Sequence, residues 1–225
     1  MVPRIIHCFW AKGPKTKLAE KCLASWRRFA PEWEIREWSL ESLPKESDLP
    51  AFCVEAIRAR QWTMVSDWVR MWVLERFGGL YLDLDVELVR PIGALPDDEW
   101  VSGEWTANGR TWMNPGSGLA LEPQSPIARG MLERYARLAF DPNREMMSWI
   151  NANLGELASD LKVLPPEVMS PIAVDGRMHR TENTVAIHWY AMGCASPKQK
   201  LLQWLSWHGF RPLIDALLRM KRSLS

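Results

Sequence analysis

The clearest periodic stretch of the chain runs over residues 64–77. Val65, Val69, Trp72, Val73 and Arg76 recur at helical spacing, and Met71 and Leu74 widen the apolar face. Gly78 and Gly79 follow, where glycine commonly stands just past a helix C-terminus. Residues 80–83 and 86–89 then read as two short strands, the second stopped by Pro91. Upstream, residues 5–10 read as a buried first strand, 11–17 as a loop, 18–29 as a helix and 33–38 as an imperfectly alternating second strand. Residues 39–49 are rich in turn formers, and 51–60 read as a helix. Downstream, 99–104 and 118–121 are further strands, and 127–139 is a helix with Met131, Leu132, Tyr135 and Leu138 on one face. Residues 141–183 are Pro-rich and mix helix with loop, and 185–189 form a last strand. Strands alternating with helices predict an α/β fold with a mostly parallel, Rossmann-like central sheet flanked by helices. In such sheets ligands lie beyond the strand C-termini.

That position is where the chain places its most distinctive acids. Asp83 and Asp85 are one residue apart, so in a strand they project from the same face while Leu84 points into the core. Two carboxylates so close are costly unless a cation sits between them, and a divalent metal held by carboxylates commonly serves a phosphate. Placing a diphosphate near these acids unaided costs about 3 kcal/mol per charge pair at ~5 Å and an effective dielectric of ~20. Asp67 and Arg70 are three apart and share one side of the preceding helix. Left on the surface they would form an ordinary salt bridge.

Composition narrows the classes. With 225 residues and a net charge of +1, one domain is expected, and no basic field points to nucleic acid. The four cysteines, Cys8, Cys22, Cys53 and Cys194, lack paired spacing and read as reduced, buried thiols. Neither a signal peptide nor a run of 18 apolar residues is present, so a cytoplasmic protein is expected, or a chain trimmed of a membrane anchor. The domain is expected to span 1–197. Residues 198–225 carry six cations against Asp215, with leucines and tryptophans at helical spacing. They read as C-terminal helices packed on the domain, or as a peripheral contact on the inner face of the cytoplasmic membrane.

The string SDWVRMWVLERFGGLYLDLDVEL, residues 66–88, resembles the hallmark of glycosyltransferase family 32, whose sugar-binding region contains an Asp-x-Asp motif. Residues 3–15 resemble that family's first strand and loop, and residues 186–189 its late His-containing motif. The resemblance is dense over about 1–126 and resumes near 185–196. It implies a GT-A fold and a metal-dependent, retaining transfer of a hexosyl group from a nucleoside-diphosphate sugar to a hydroxyl of a glycan, glycolipid or protein acceptor. A UDP-sugar is favoured over GDP-mannose as donor, with Mn²⁺ or Mg²⁺ as cofactor. It also implies site roles. Asp85 would ligate the metal, and Asp83 would contact the donor and reach the metal through water. Asp67 and Arg70 would read the donor sugar hydroxyls, with Tyr81 beside the donor. His188 would contact the metal or the diphosphate, imidazole being an acceptable ligand for Mn²⁺.

Trp10, ending the first strand, is placed to stack on a nucleobase or to pack in the core. Trp189 is placed to cover the site. The family's Asn before Pro126 falls on Gly116 here, with Asn114 close by, so Glu104 and Asn114 are secondary candidates for sugar contacts. Two rival readings remain: a non-catalytic sugar-nucleotide or glycan-binding module, and a haloacid-dehalogenase-type phosphatase. The latter needs a downstream acidic pair, and Asp97–Asp98 follows too closely.

Overall fold

The computed structural model describes residues 1–106, 110–173 and 176–191. The 198–225 segment, its membrane reading and Cys194 therefore lie outside the described residues. The chain opens with β1 (Ile5–Phe9), α1 (Lys17–Phe29) and β2 (Glu34–Trp38), then α2 (Ala51–Arg58), α3 (Trp62–Phe77) and β3 (Gly79–Tyr81). β1 lies parallel between β2 and β3, as right-handed strand–helix–strand crossovers produce. The next elements are β4 (Val86–Leu88), β5 (Trp100–Trp105), β6 (Thr111–Met113), β7 (Leu119–Leu121), α4 (Pro126–Arg137), α5 (Met146–Leu157), β8 (Lys162–Leu164), α6 (Pro166–Met169) and β9 (Ala186–His188).

Among the described residues the main sheet has seven strands, in the order β2-β1-β3-β7-β5-β6, with β8 also on β5. Five run one way; β7 and β6 are opposed. The mostly parallel α/β sheet read from the sequence is present. β8 was not read from the sequence: its three residues lie in the Pro-rich stretch, two of them exposed, and no alternation marks them.

Period-two alternation divides the sheet's side chains between two cores. Tyr81, Val101, Leu119 and Leu121 face α2, α3, α4 and α5. Ile6, Cys8, Leu80, Trp100 and Ala120 face α1 and the β4–β9 ribbon. α3 lies deep in the first core, with Met64, Val65, Trp68, Val69, Met71, Val73 and Leu74 all buried. The helix is thus apolar over more of its circumference than the single face read from its periodicity, and Arg76 is exposed instead of lying on that face. A helix closed in by neighbours on most sides needs no polar stripe.

Gly78 and Gly79 turn this helix directly into β3. Gly78 has φ +60° and donates its N–H to Leu74 O at 2.9 Å. A Cβ on Gly78 would lie 2.6 Å from the Pro123 ring, and one on Gly79 2.6 Å from Ile5 O. The pair thus allows both the chain reversal and the close approach of β1. On the other side of the sheet, α1 carries the strand that leaves the acidic turn. Buried Trp26 donates its indole N–H to Val86 O at 2.7 Å, and Ser25 Oγ accepts from Leu88 N–H at 2.9 Å.

His7 joins β1 to the end of α3. Its Nδ1 accepts from the Trp38 indole at 3.0 Å, which leaves Nε2–H to donate to Gly78 O at 2.9 Å. The ring is therefore neutral, and burial lowers its pKa to about 4. An unfolded histidine titrates near ~6.5, so between these values the unfolded chain binds more protons and stability rises with pH. The contribution is complete above the unfolded value and is lost as pH falls toward 4, about 3 kcal/mol in all. Urea unfolding at pH 7.5 and 4.5 should show this fall in the parent and a much smaller one in His7→Gln. Parallel pH slopes in the two proteins would refute it.

Candidate active site

A turn, not a strand, presents the acidic pair. β3 ends at Tyr81, and Val86 N–H donates to Asp83 O at 3.0 Å, closing a four-residue turn over 83–86. This corrects the reading of 80–83 as strand and of the pair as same-face neighbours by alternation. Leu84 is buried in the core as expected, 2 % exposed. The turn is anchored by Leu82 N–H to His7 O at 3.0 Å and by Asp83 N–H to Gly116 O at 2.8 Å.

β4 then pairs antiparallel with β9, in a register that sets Val86 opposite His188. His188 Nε2 consequently lies 3.2 Å from Asp85 Oδ1, while its Nδ1 meets Ser117 Oγ at 2.7 Å. Donor atoms of Asp83, Asp85 and His188 all fall within 4.8 Å of one another. Asp85 also accepts the Ala191 N–H on Oδ2 at 2.8 Å and the Trp189 N–H on its backbone oxygen at 2.9 Å.

Behind this cluster, α3 supplies a buried ion pair. Arg70 Nη1 donates to Asp67 Oδ1 at 2.9 Å, and Nη2 lies 3.4 Å from Asp83 Oδ1. The Arg70 side chain is 3 % exposed, so this is no surface salt bridge. Its guanidinium lies 4.8 Å from the Tyr81 ring centroid, and the Tyr81 hydroxyl meets Ser66 Oγ at 2.9 Å. Arg70 thus links the helix motif to the acidic turn.

The electrostatics follow from burial and crowding. Burial raises the Asp67 carboxyl to about 6 against the opposing pull of Arg70. Burial and the neighbouring Asp85 raise Asp83, opposed by Arg70 and His188. Burial disfavours the charged form of Arg70, yet Asp83 and Asp67 hold it firmly protonated. Burial likewise lowers His188, but Asp85 more than offsets this and holds the ring above its ordinary value. Three carboxylates against one guanidinium leave the site short of positive charge, and an oxygen, oxygen and nitrogen donor set suits Mn²⁺.

The two tryptophans are placed differently from these residues. Trp10 is half-buried against the core on the α1 side, and its indole N–H donates to Gly13 O at 3.0 Å, closing the loop after β1. The Trp189 indole donates to Glu87 at 2.9 Å and packs under the Lys21 ammonium, on the opposite face of the ribbon from His188. The sequence did not point to Ser117 or Tyr190, which also join the site. Tyr190 packs its ring on His188 with centroids 4.1 Å apart and donates to Glu104 at 3.1 Å. The sequence signals for this region were the departure at Gly116 and the secondary candidates Glu104 and Asn114.

Residues 16–105, from α1 through β5, match the family model described as a glycosyltransferase sugar-binding region containing the DXD motif. This stretch of the chain is therefore similar to the sugar-binding region of DXD-containing glycosyltransferases. That match spans Asp67, Arg70, Asp83 and Asp85, whereas Asn114, Gly116, Ser117 and His188 lie outside it. The fold is the GT-A type and is similar to that of solved glycosyltransferases. One is the PaToxG glycosyltransferase, with a TM-score of 0.53, 16% identity and 70% of each chain covered. Another is a glycosyltransferase involved in the glycosylation of the major capsid of PBCV-1, with a TM-score of 0.52 and 13% identity, covering 91% of this chain and 99% of that one. No curated protein matches the chain in sequence. Among the described residues, no helix is long and apolar enough to cross a membrane.

Proposed function

We propose that this glycosyltransferase is metal-dependent and retaining, and that it moves a hexosyl group from a nucleoside-diphosphate sugar, a UDP-sugar before GDP-mannose, to an acceptor hydroxyl. The observation that carries the reading is the convergence of Asp83, Asp85 and His188 within 4.8 Å, backed by the buried Asp67–Arg70 pair. Asp85 and His188, with Asp83 direct or through water, would hold Mn²⁺ or Mg²⁺. When bound, the cation neutralises the diphosphate and stabilises the charge that grows on it as it leaves.

The remaining work falls to side chains of this chain. Asp67 accepts hydrogen bonds from donor sugar hydroxyls, and Arg70 holds both Asp67 and Asp83 in place for that contact. Tyr81 supplies the wall beneath the guanidinium. A same-face displacement accounts for retention, the departing diphosphate taking the proton of the acceptor hydroxyl. The acceptor is a hydroxyl of a glycan, a glycolipid or a protein.

A panel of UDP- and GDP-sugars with Mn²⁺, followed by nucleotide release, tests this directly. We expect release from one donor, stopped by chelator and restored by Mn²⁺, with the product retaining the anomeric configuration. Donor binding with no release in the presence of acceptors would favour the non-catalytic module instead.

A further inference from the structure

We propose that Glu104 and Asn114 are positioning residues that set the geometry of the cation site. They lie outside the helix motif and the acidic turn, and Glu104 is not a member of the Asp83, Asp85 and His188 cluster. Their reach into it is nonetheless continuous. Asn114 is 5% exposed, and its Oδ1 accepts two backbone N–H groups, Gly116 at 3.0 Å and Ser117 at 3.1 Å. These bonds shape the loop that grips two members of the cluster. The Gly116 carbonyl takes the Asp83 N–H at 2.8 Å. A Cβ at Gly116 would lie 2.3 Å from Asp83 Oδ2, so the bare glycine is what lets that carboxylate in. The Ser117 hydroxyl meets His188 Nδ1 at 2.7 Å. With Nδ1 engaged there, Nε2 is the nitrogen turned toward Asp85.

Glu104 locks this arrangement from the end of β5. One of its oxygens, Oε2, accepts from the Asn114 amide at 2.5 Å, which decides which way that amide faces. The same oxygen accepts from the Tyr190 hydroxyl at 3.1 Å. Tyr190 packs on His188 and has φ +50°, a left-handed backbone that a non-glycine residue adopts only when its surroundings hold it there. The next residue, Ala191, donates its N–H to Asp85 Oδ2. A single carboxylate oxygen therefore organises both chain segments that close on the three ligand side chains: 114–117 from one side and 188–191 from the other.

This inference rests on the cation reading above. Outer contacts of this kind are worth ~10–100-fold in metal affinity. Mn²⁺ binding to the purified chain, measured by electron paramagnetic resonance, tests it without reference to turnover. Asn114→Ala and Glu104→Ala should each weaken Mn²⁺ binding by ~10-fold or more, while Glu104→Gln, which keeps an acceptor oxygen, should stay within ~3-fold of the parent. Tyr190→Phe removes one hydroxyl only and should weaken binding by ~5-fold, the worth of one hydrogen bond, even if the alanine variants fail to fold. Parent-like affinity in Asn114→Ala, or in Tyr190→Phe where the alanine variants do not fold, overturns the proposal. Equal loss in Glu104→Gln and Glu104→Ala overturns it in favour of a direct contribution of charge. A parent chain that binds no Mn²⁺ refutes the cation reading itself, a separate result.

Discussion

Asp85→Ala is expected to abolish cation-dependent turnover, by ~100-fold or more, while leaving the protein folded. Asp85 is the member of the cluster most completely enclosed, 2 % exposed, with His188 on one oxygen and the Ala191 N–H on the other. Removing it takes away one of the two carboxylates proposed to hold the cation, and Asp83, with one oxygen turned to Arg70 at 3.4 Å, does not supply both. The fold should survive for an electrostatic reason. Asp83 and Asp85 repel, so losing one relieves Asp83, and this offsets part of the lost hydrogen bonding. Turnover against added Mn²⁺, alongside a melting curve, decides the matter. Full activity in the variant, or in the parent with excess chelator, removes Asp85 from the reaction.

Arg70→Ala should be the most damaging single change to stability and activity together. Its guanidinium is the only fixed cation paired to buried Asp67 among the described contacts, and it also braces Asp83. Breaking a buried pair from one side costs roughly 3–5 kcal/mol, because the abandoned carboxylate stays enclosed. For a chain of this size that is roughly a 10 °C fall in melting temperature. Asp67→Asn separates the functional part from the structural one. It keeps the volume and one acceptor oxygen, so it should fold, yet it should lose sugar transfer more than binding of the free nucleoside diphosphate. Titrating each variant with the nucleotide and with the sugar nucleotide gives the comparison. Equal losses for the two ligands would mean that Asp67 and Arg70 do not read the sugar.

The helix, the Gly-Gly junction and the acidic pair were legible because they are local. Periodicity marks an element wherever its own residues decide its state, as in residues 64–77, and glycine marks a reversal that other residues cannot make. The same locality misled at 80–85. A strand pattern carried through Asp83 is cheap to propose, but backbone bonds from Gly116 and His7, distant in sequence, end the strand at Tyr81 and fold the acids into a turn. β8 was illegible for a related reason: a three-residue edge strand is specified by its partner β5 and not by its own side chains.

The sequence by itself determined the α/β alternation, the position of the acidic pair after β3, the Asp67–Arg70 spacing and the family they resemble, since each resides in contiguous residues. Only the tertiary structure decided that Arg70 faces inward to both Asp67 and Asp83, that the pairing of β4 with β9 delivers His188 to Asp85, and that Gly116, Ser117, Asn114 and Glu104 close around them. Those relations join residues up to 106 positions apart, as in the Ala191 N–H on Asp85. Nothing in the local pattern encodes them, because register, burial and the direction of a side chain are set by what the rest of the chain packs against it.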